Sequence, residues 1–166
     1  MGAIKRVHGR VIMLEIKPFI LALNQTFEEM AEIKLSNEPV ETLGKRSIVA
    51  DFSSSIGVFS DQENLSLILT SDTSSALKIV RRVTESPDLK KNDKLVIDTI
   101  GELLNMIVGN VQRRSKDKFH FSIPISVTGE EHEVCKPNGN YKFSRSKFYE
   151  NEEKLEVNIY LLRHGA

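Results

Sequence analysis

The stretch IGELLNMIVGN, residues 100–110, carries a carboxylate, an amide and a glycine on what reads as a single helix. At about 100° per residue, Ile97, Ile100, Leu104, Ile107, Val108 and Val111 share one arc, which is a core face. Asp98, Glu102, Asn105 and Gly109 fall on another stripe, about 140° round from the centre of the first. A polar stripe alone is what any solvated helix has. Asn, however, is a mediocre helix former, and Gly in a helix interior costs about 1 kcal/mol relative to Ala. A glycine beside a Glu and an Asn leaves a bare patch that lets another surface approach the helix closely. The competing reading is that Gly109 packs against a neighbouring helix of the same chain.

An amide is neutral near pH 7 and cannot act as a general base. It can accept from a water and donate to an oxyanion at once. That suits holding a water for in-line attack on a phosphoryl group, where catalysis is largely orientation and electrostatics. A neighbouring Glu holds the water or grips a cation on a partner. The stretch offers no nucleophile, no metal-ligand set and no phosphate-binding glycine loop. The substrate must therefore bring its own metal and reactive bond.

The elements that must position these residues follow from hydrophobic period and turn chemistry. IKPFILALNQTFEEMAEI spaces Leu23, Phe27, Met30 and Ile33 as an amphipathic helix, with Pro18 near its first turn. NEPVETLGK reads as a loop. RSIVADF, SIGVF and NLSLILT read as three short strands separated by Ser, Gly and Asp-Gln-Glu turns. SDTSSALKIVRRVTE is a second helix opened by cap residues. A third helix covers about residues 93–114, capped by Asn92 or Asp93, and closes with Arg113, Arg114 and Lys116, the sign the helix dipole prefers. FHFSIPISVTG, NYKFSRSKFY and KLEVNIYLLR follow as strands, with KPNGN and ENEEK as the turns before the second and third. Strands in consecutive runs favour antiparallel pairing, so the expected fold class is α+β, with helices packed on an antiparallel-rich sheet. Helix then three strands occurs twice in element order, without a residue-by-residue repeat. No Pro- or Gly-rich linker divides the chain, so residues 14–166 read as one domain. Residues 1–13 are a leader or first strand that the sequence leaves unassigned.

Composition excludes several classes. The 23 basic and 23 acidic residues give zero net charge, against a nucleic-acid-binding surface as the main function. No apolar run reaches the ~18 residues of a membrane span. The single Cys135 rules out an internal disulfide and fits a reducing cytosol. Cys135 with His132 is a weak candidate for a nucleophile or metal pair, because no second ligand pair accompanies it. The hydroxyls of SDTSS (71–75) read as caps rather than an anion site. QRRSKDK (112–118) reads as a solvated helix end able to steer an acidic partner. His120 reads as a strand residue.

DTIGELLNMIVGN resembles the CheX branch of the CheC/CheX/FliY phosphatases of bacterial chemotaxis. The family pattern is Asp or Ser, three residues, Glu, two residues, Asn, and Asp98, Glu102 and Asn105 match it in register. IKPFILALNQTFEEM is similar to the family's opening helix, and SIGVFSDQENLSLILTSDTSSALKIV to its hairpin and second helix. FSIPISVTGEEHEV is similar to the proline-containing strand and turn after the motif helix. The resemblance implies a fold of helices on an antiparallel-rich sheet, a homodimer, and a cytoplasmic phosphatase that hydrolyses the aspartyl phosphate of a CheY-like response regulator. It implies that Glu102 pairs with the regulator's lysine and that Asn105 orients the attacking water. Asp98 and Gly109 belong to the partner-binding face. It implies no cofactor of the chain's own, the Mg2+ belonging to the receiver domain. The first helix carries no second Glu-x-x-Asn motif, since Ala31 follows Glu28 and Glu32 follows Glu29 at plus three. One site per chain is expected. Pro124 sits a few residues early for the CheC spacing, which touches strand register. The alternative is a non-catalytic module that binds receivers as adaptor or sink.

Overall fold

The computed structural model describes residues 14–164; the reading of residues 1–13 lies outside them. Three helices pack on one face of an eight-stranded sheet: α1 (Lys17–Ala31), α2 (Thr73–Thr84) and α3 (Lys94–Arg114). The strands are β1 (Ser36–Asn37), β2 (Glu41–Leu43), β3 (Ser47–Phe59), β4 (Asn64–Ser71), β5 (His120–Phe121), β6 (Ile125–Cys135), β7 (Tyr141–Glu150) and β8 (Leu155–His164). The hairpins β3–β4 and β7–β8 join through β4–β8, and every pairing is antiparallel. Beyond them, β5 and β6 pair with β3, and β1 and β2 pair with β7. The α+β expectation is therefore met. No described helix is long and apolar enough to cross a membrane.

The main core lies between helices and sheet. Phe19, Leu23 and Phe27 of α1, Ile79 and Val80 of α2, and Leu103, Leu104, Ile107 and Val108 of α3 meet Phe52, Ile56, Leu67, Leu69, Val157 and Ile159. Five of the six residues assigned to the core arc of α3 are buried in it, Ile100, Leu104, Ile107, Val108 and Val111, and Ile97 packs against it half-buried. A second, smaller cluster forms where Ile48 packs with Ile68, Phe143 and Tyr160. Tyr160 and Phe143 meet edge-on with ring centroids 5.9 Å apart.

Several boundaries differ from the sequence reading. RSIVADF and SIGVF are one 13-residue strand, β3. The serines between them are not a turn: Ser54 is fully buried, and its hydroxyl bonds Ser126 Oγ at 2.8 Å. A satisfied hydroxyl tolerates burial that an unpaired one would not. NEPVETLGK is not all loop, because Glu41–Leu43 pairs with β7 and Arg145 bridges to Glu41. An exposed edge strand needs no apolar alternation, so the pattern could not show it. FHFSIPISVTG breaks at Ile123–Pro124, where proline has no N–H for the ladder. KPNGN does turn the chain, with Gly139 at φ 116°, but β6 and β7 are not neighbours in the sheet. Asp93 takes the cap position of α3, yet its carboxylate accepts from Lys90 N at 2.7 Å instead of capping.

The segment after Thr128 continues β6 and contains a bulge. Ala50 pairs with His132 but Phe52 with Thr128, so Gly129, Glu130 and Glu131 face Asp51 alone. Asp51 holds this bulge: Oδ1 accepts from Glu131 N at 3.0 Å, and Oδ2 accepts from the backbone N and hydroxyl of Thr73 at 2.9 Å. One carboxylate thus ties the bulge to the start of α2. These bonds, the Glu131 amide first, hold its pKa below the ordinary 3.8. The unfolded chain therefore binds the proton more readily. The resulting stability is present above pH 3.8 and is lost as pH falls through the depressed folded value. Thermal unfolding followed between pH 5 and pH 2 should show the melting temperature of Asp51→Asn starting lower than that of the native chain and falling less steeply.

The seat of α3 is set at Gly101. A Cβ there would stand 2.9 Å from Ser126 Oγ and 3.7 Å from Pro124 Cγ. The hydroxyl it meets is the partner of buried Ser54, so it has little freedom to give way. Gly101→Val should cost about 1–3 kcal/mol through overpacking, despite a better helix propensity. A melting temperature equal to that of the native chain would refute the close-approach account.

Candidate functional site

Helix α3 is 21 residues long and is gripped from several sides. Its inner face is core, and Gln112 Nε2 donates to Phe119 O at 2.7 Å. Asn110 Nδ2 donates to Thr26 Oγ1 of α1 at 3.2 Å, and Arg114 reaches Gln25 Oε1. Thr26 is fully buried, so the α1–α3 tie has an inner polar anchor. A helix held this firmly presents its outer residues in fixed directions.

The stripe expected from the sequence lies on that outer face. Asp98 and Glu102 are exposed, and Asn105 and Gly109 are half-buried. Glu102 and Asn105 are one turn apart, their Cβ atoms about 5–6 Å from each other. Neither side chain has a hydrogen bond or ion pair with another of the described residues, and the same holds for Asp98. A carboxylate and an amide left unpartnered beside each other are free to take an external lysine and an external water.

Gly109 does not pack against another helix. Outside its own helix backbone, a Cβ placed there would meet only Arg113 Nη1, at 3.7 Å. That removes the packing alternative and leaves a bare helix surface flanked by the Arg113 side chain. Arg113 in turn donates to Asn110 Oδ1. Reading 112–118 as a solvated end missed this ordering. The signal available was the run of four-residue steps 105, 109, 113, which puts Arg113 on the same stripe as Asn105.

The other candidates resolve into structure. Asp72 Oδ1 accepts from Ser75 N at 2.8 Å and Ser75 Oγ donates to Asp72 Oδ2 at 3.0 Å, so SDTSS is occupied by capping. His132 lies in β6, with Nε2 2.8 Å from Ser53 Oγ and Nδ1 2.8 Å from Gly129 O. A carbonyl only accepts, so Nδ1 carries the proton and the ring is committed to the bulge. Cys135 is an exposed free thiol, with no part in that arrangement. His120 is an exposed residue of β5 paired with Phe59. Among the described residues, no three His, Cys, Asp or Glu side chains gather as a metal site.

Known proteins bear on this arrangement. The chemotaxis phosphatase CheX family model matches residues 52–146, more than half of the chain and including the whole of α3. Among solved structures, a chemotaxis protein CheX from Vibrio vulnificus is similar at TM-score 0.77 and 23% identity, covering 88% of this chain and 96% of that one. A CheC-like superfamily protein from Shewanella is similar at TM-score 0.78 and 24% identity, covering 90% of this chain and 97% of that one. The CheX of a CheX–CheY–BeF3–Mg2+ complex from Borrelia burgdorferi is similar at TM-score 0.73 and 17% identity, covering 92% and 99%. No curated protein matches the sequence. At these identities the structural likenesses establish the fold, while the family model, matching across the motif helix, establishes the relationship. The chain belongs to the CheX family of chemotaxis phosphatases.

Proposed function

We propose that this chain is a phosphatase that hydrolyses the aspartyl phosphate of a CheY-like response regulator. The observation that carries the reading is the pair Glu102 and Asn105: adjacent on the exposed face of a firmly held helix, with neither side chain engaged within the chain. The relative from Borrelia, whose structure contains CheY, beryllofluoride and Mg2+, supports a receiver domain as the partner.

The chemistry fits a two-residue site. Water oxygen forms the new bond to phosphorus while the bond from phosphorus to the aspartyl oxygen breaks. The products are inorganic phosphate and a free carboxylate, and the water proton passes to phosphate or solvent. A carboxylate with an ordinary pKa near 4 is a good leaving group without protonation, so no general acid is required. Asn105 accepts from the water and fixes its line of attack. Glu102 pairs with the regulator's lysine and sets the depth of insertion. The chain brings no cofactor of its own; Mg2+ in the receiver neutralises the phosphoryl oxygens. Asp98 borders the docking face one turn before Glu102, and Gly109 keeps its far side low. The reading assigns the chain to the cytoplasm, where a free exposed thiol persists.

The family resemblance also implies a homodimer. Its support here is β6, which pairs only with β3 and exposes Ile125 and Val127 with Ile123 just before them. An unpaired strand with an apolar row is a template for a second copy. Light scattering should give a dimer mass for the native chain and a monomer for Ile125→Asp with unchanged circular dichroism; a monomeric native chain would remove this part.

The decisive assay follows phosphate release from a phosphorylated CheY-type receiver with Mg2+. The native chain should accelerate release. Asn105→Ala should lose most of that acceleration, on the order of 100-fold or more, while still binding a beryllofluoride-loaded receiver. Glu102→Ala should weaken both binding and turnover. Binding without acceleration by the native chain would instead make it an adaptor or sink.

A further inference from the structure

We propose that Arg113 is a pre-positioned docking anchor for the anionic rim of the receiver's phosphorylation site. The inference rests on the phosphatase reading and adds to it a residue outside the Asp98–Glu102–Asn105 motif.

Three observations converge on Arg113. Its Nη1 stands 3.7 Å from where a Gly109 Cβ would be, so the guanidinium folds back beside Gly109 at van der Waals distance. Its other nitrogen donates to Asn110 Oδ1, and Asn110 is itself held by Thr26 of α1 at 3.2 Å. A fully buried hydroxyl on one helix thereby orients an exposed cation on another. Finally, Arg113 takes part in none of the ion pairs among the described residues, so its charge is uncommitted.

The direction matters. Helical side chains lean toward the N-terminus, and a guanidinium over residue 109 is roughly 6 Å along the axis from the Asn105 Cα. That offset sets it to one side of the phosphoryl group that Asn105 would address. It is the right distance for the ring of carboxylates that an Mg2+ site requires, or for backbone carbonyls at its edge. A planar guanidinium meets carboxylates bidentately and is more weakly hydrated than an ammonium. Arg114 lacks this placement: it is turned to Gln25 Oε1 on α1. With zero net charge over the chain, attraction to an acidic partner has to be local, and a fixed arginine beside the pair supplies it.

The test uses the full chain and a phosphorylated CheY-type receiver, with KM and kcat measured at low and high salt. Arg113→Ala should raise KM about ten-fold and flatten its salt dependence, with kcat changed less than about two-fold. Asn110→Ala, which frees the guanidinium, should raise KM by a smaller factor. Arg114→Ala should change KM less than about two-fold. A KM for Arg113→Ala within two-fold of native overturns the proposal. So does an equal effect from Arg114→Ala, which would indicate diffuse steering. Should the native chain bind without hydrolysing, the phosphatase reading fails separately, and affinity for the beryllofluoride-loaded receiver replaces KM with the same expected ratios. A native chain that neither hydrolyses nor binds overturns both.

Discussion

The height at which α3 rests on the sheet governs everything on its outer face, and that height is set where Gly101 meets Ser126. A close helix-to-strand contact fixes the helix more sharply than a layer of long side chains does, because only the short Ser126 hydroxyl and the Pro124 ring lie between them. The contact sits one residue before Glu102 and directly above the buried Ser54–Ser126 hydroxyl pair. Ile107, Val108 and Leu104 supply adhesion beneath the rest of the helix. Glycine and serine supply the register. The result is a firmly seated helix whose outer stripe is exposed in a fixed arrangement.

The same logic explains why a serine-rich segment lies inside the fold. Ser53, Ser54 and Ser71 are buried on β3 and β4. Ser54 turns to Ser126 and Ser53 to His132, both across to β6. These bonds fasten β6, which carries Pro124 and Ser126 against α3, to the centre of the sheet. At its other end β6 is fixed by the Asp51-held bulge, which is also tied to the first turn of α2. The strand that locates the motif helix is thus itself located by polar contacts at two points, with no buried apolar row of its own. Its exposed Ile125 and Val127 face away from that work.

That is also why the sequence was legible in some places and silent in others. The three helices were readable because period 3.6 is strong in α1 and α3 and the caps of α2 are explicit. The stripe of Asp98, Glu102, Asn105 and Gly109 was readable for the same reason, since helical geometry alone puts those residues together. The strands β4, β7 and β8 carry core alternation and were found. β3 was cut in two because three consecutive serines mimic a turn, and only their partners on β6 reveal them as interior. β1 and β2 were missed because edge strands are polar, and the bulge because it depends on one aspartate 80 residues away from Glu131. Arg113 was placed correctly on the helix but its order was invisible, since Thr26 is contributed by another element.

On the proposed phosphatase reading, a helix with two unpartnered side chains is a small apparatus for a hydrolase, and the economy would follow from the substrate class. An acyl phosphate is already activated, its leaving group needs no proton, and its receiver holds the metal. What remains is to exclude wrong water geometries and to hold the two proteins in register. A neutral amide does the first without contributing negative charge near a phosphoryl group, where a carboxylate in its place would repel the dianion. The second requires contacts spread beyond the reacting atoms, since binding energy made away from the reaction centre is what orients it. On that reading the Glu102 carboxylate would meet the lysine and the Arg113 guanidinium the anionic rim, opposite charges about two to three turns apart along the helix. Such a face would have one favoured orientation on its partner, with the Asn105 amide proposed to position water lying between the two poles.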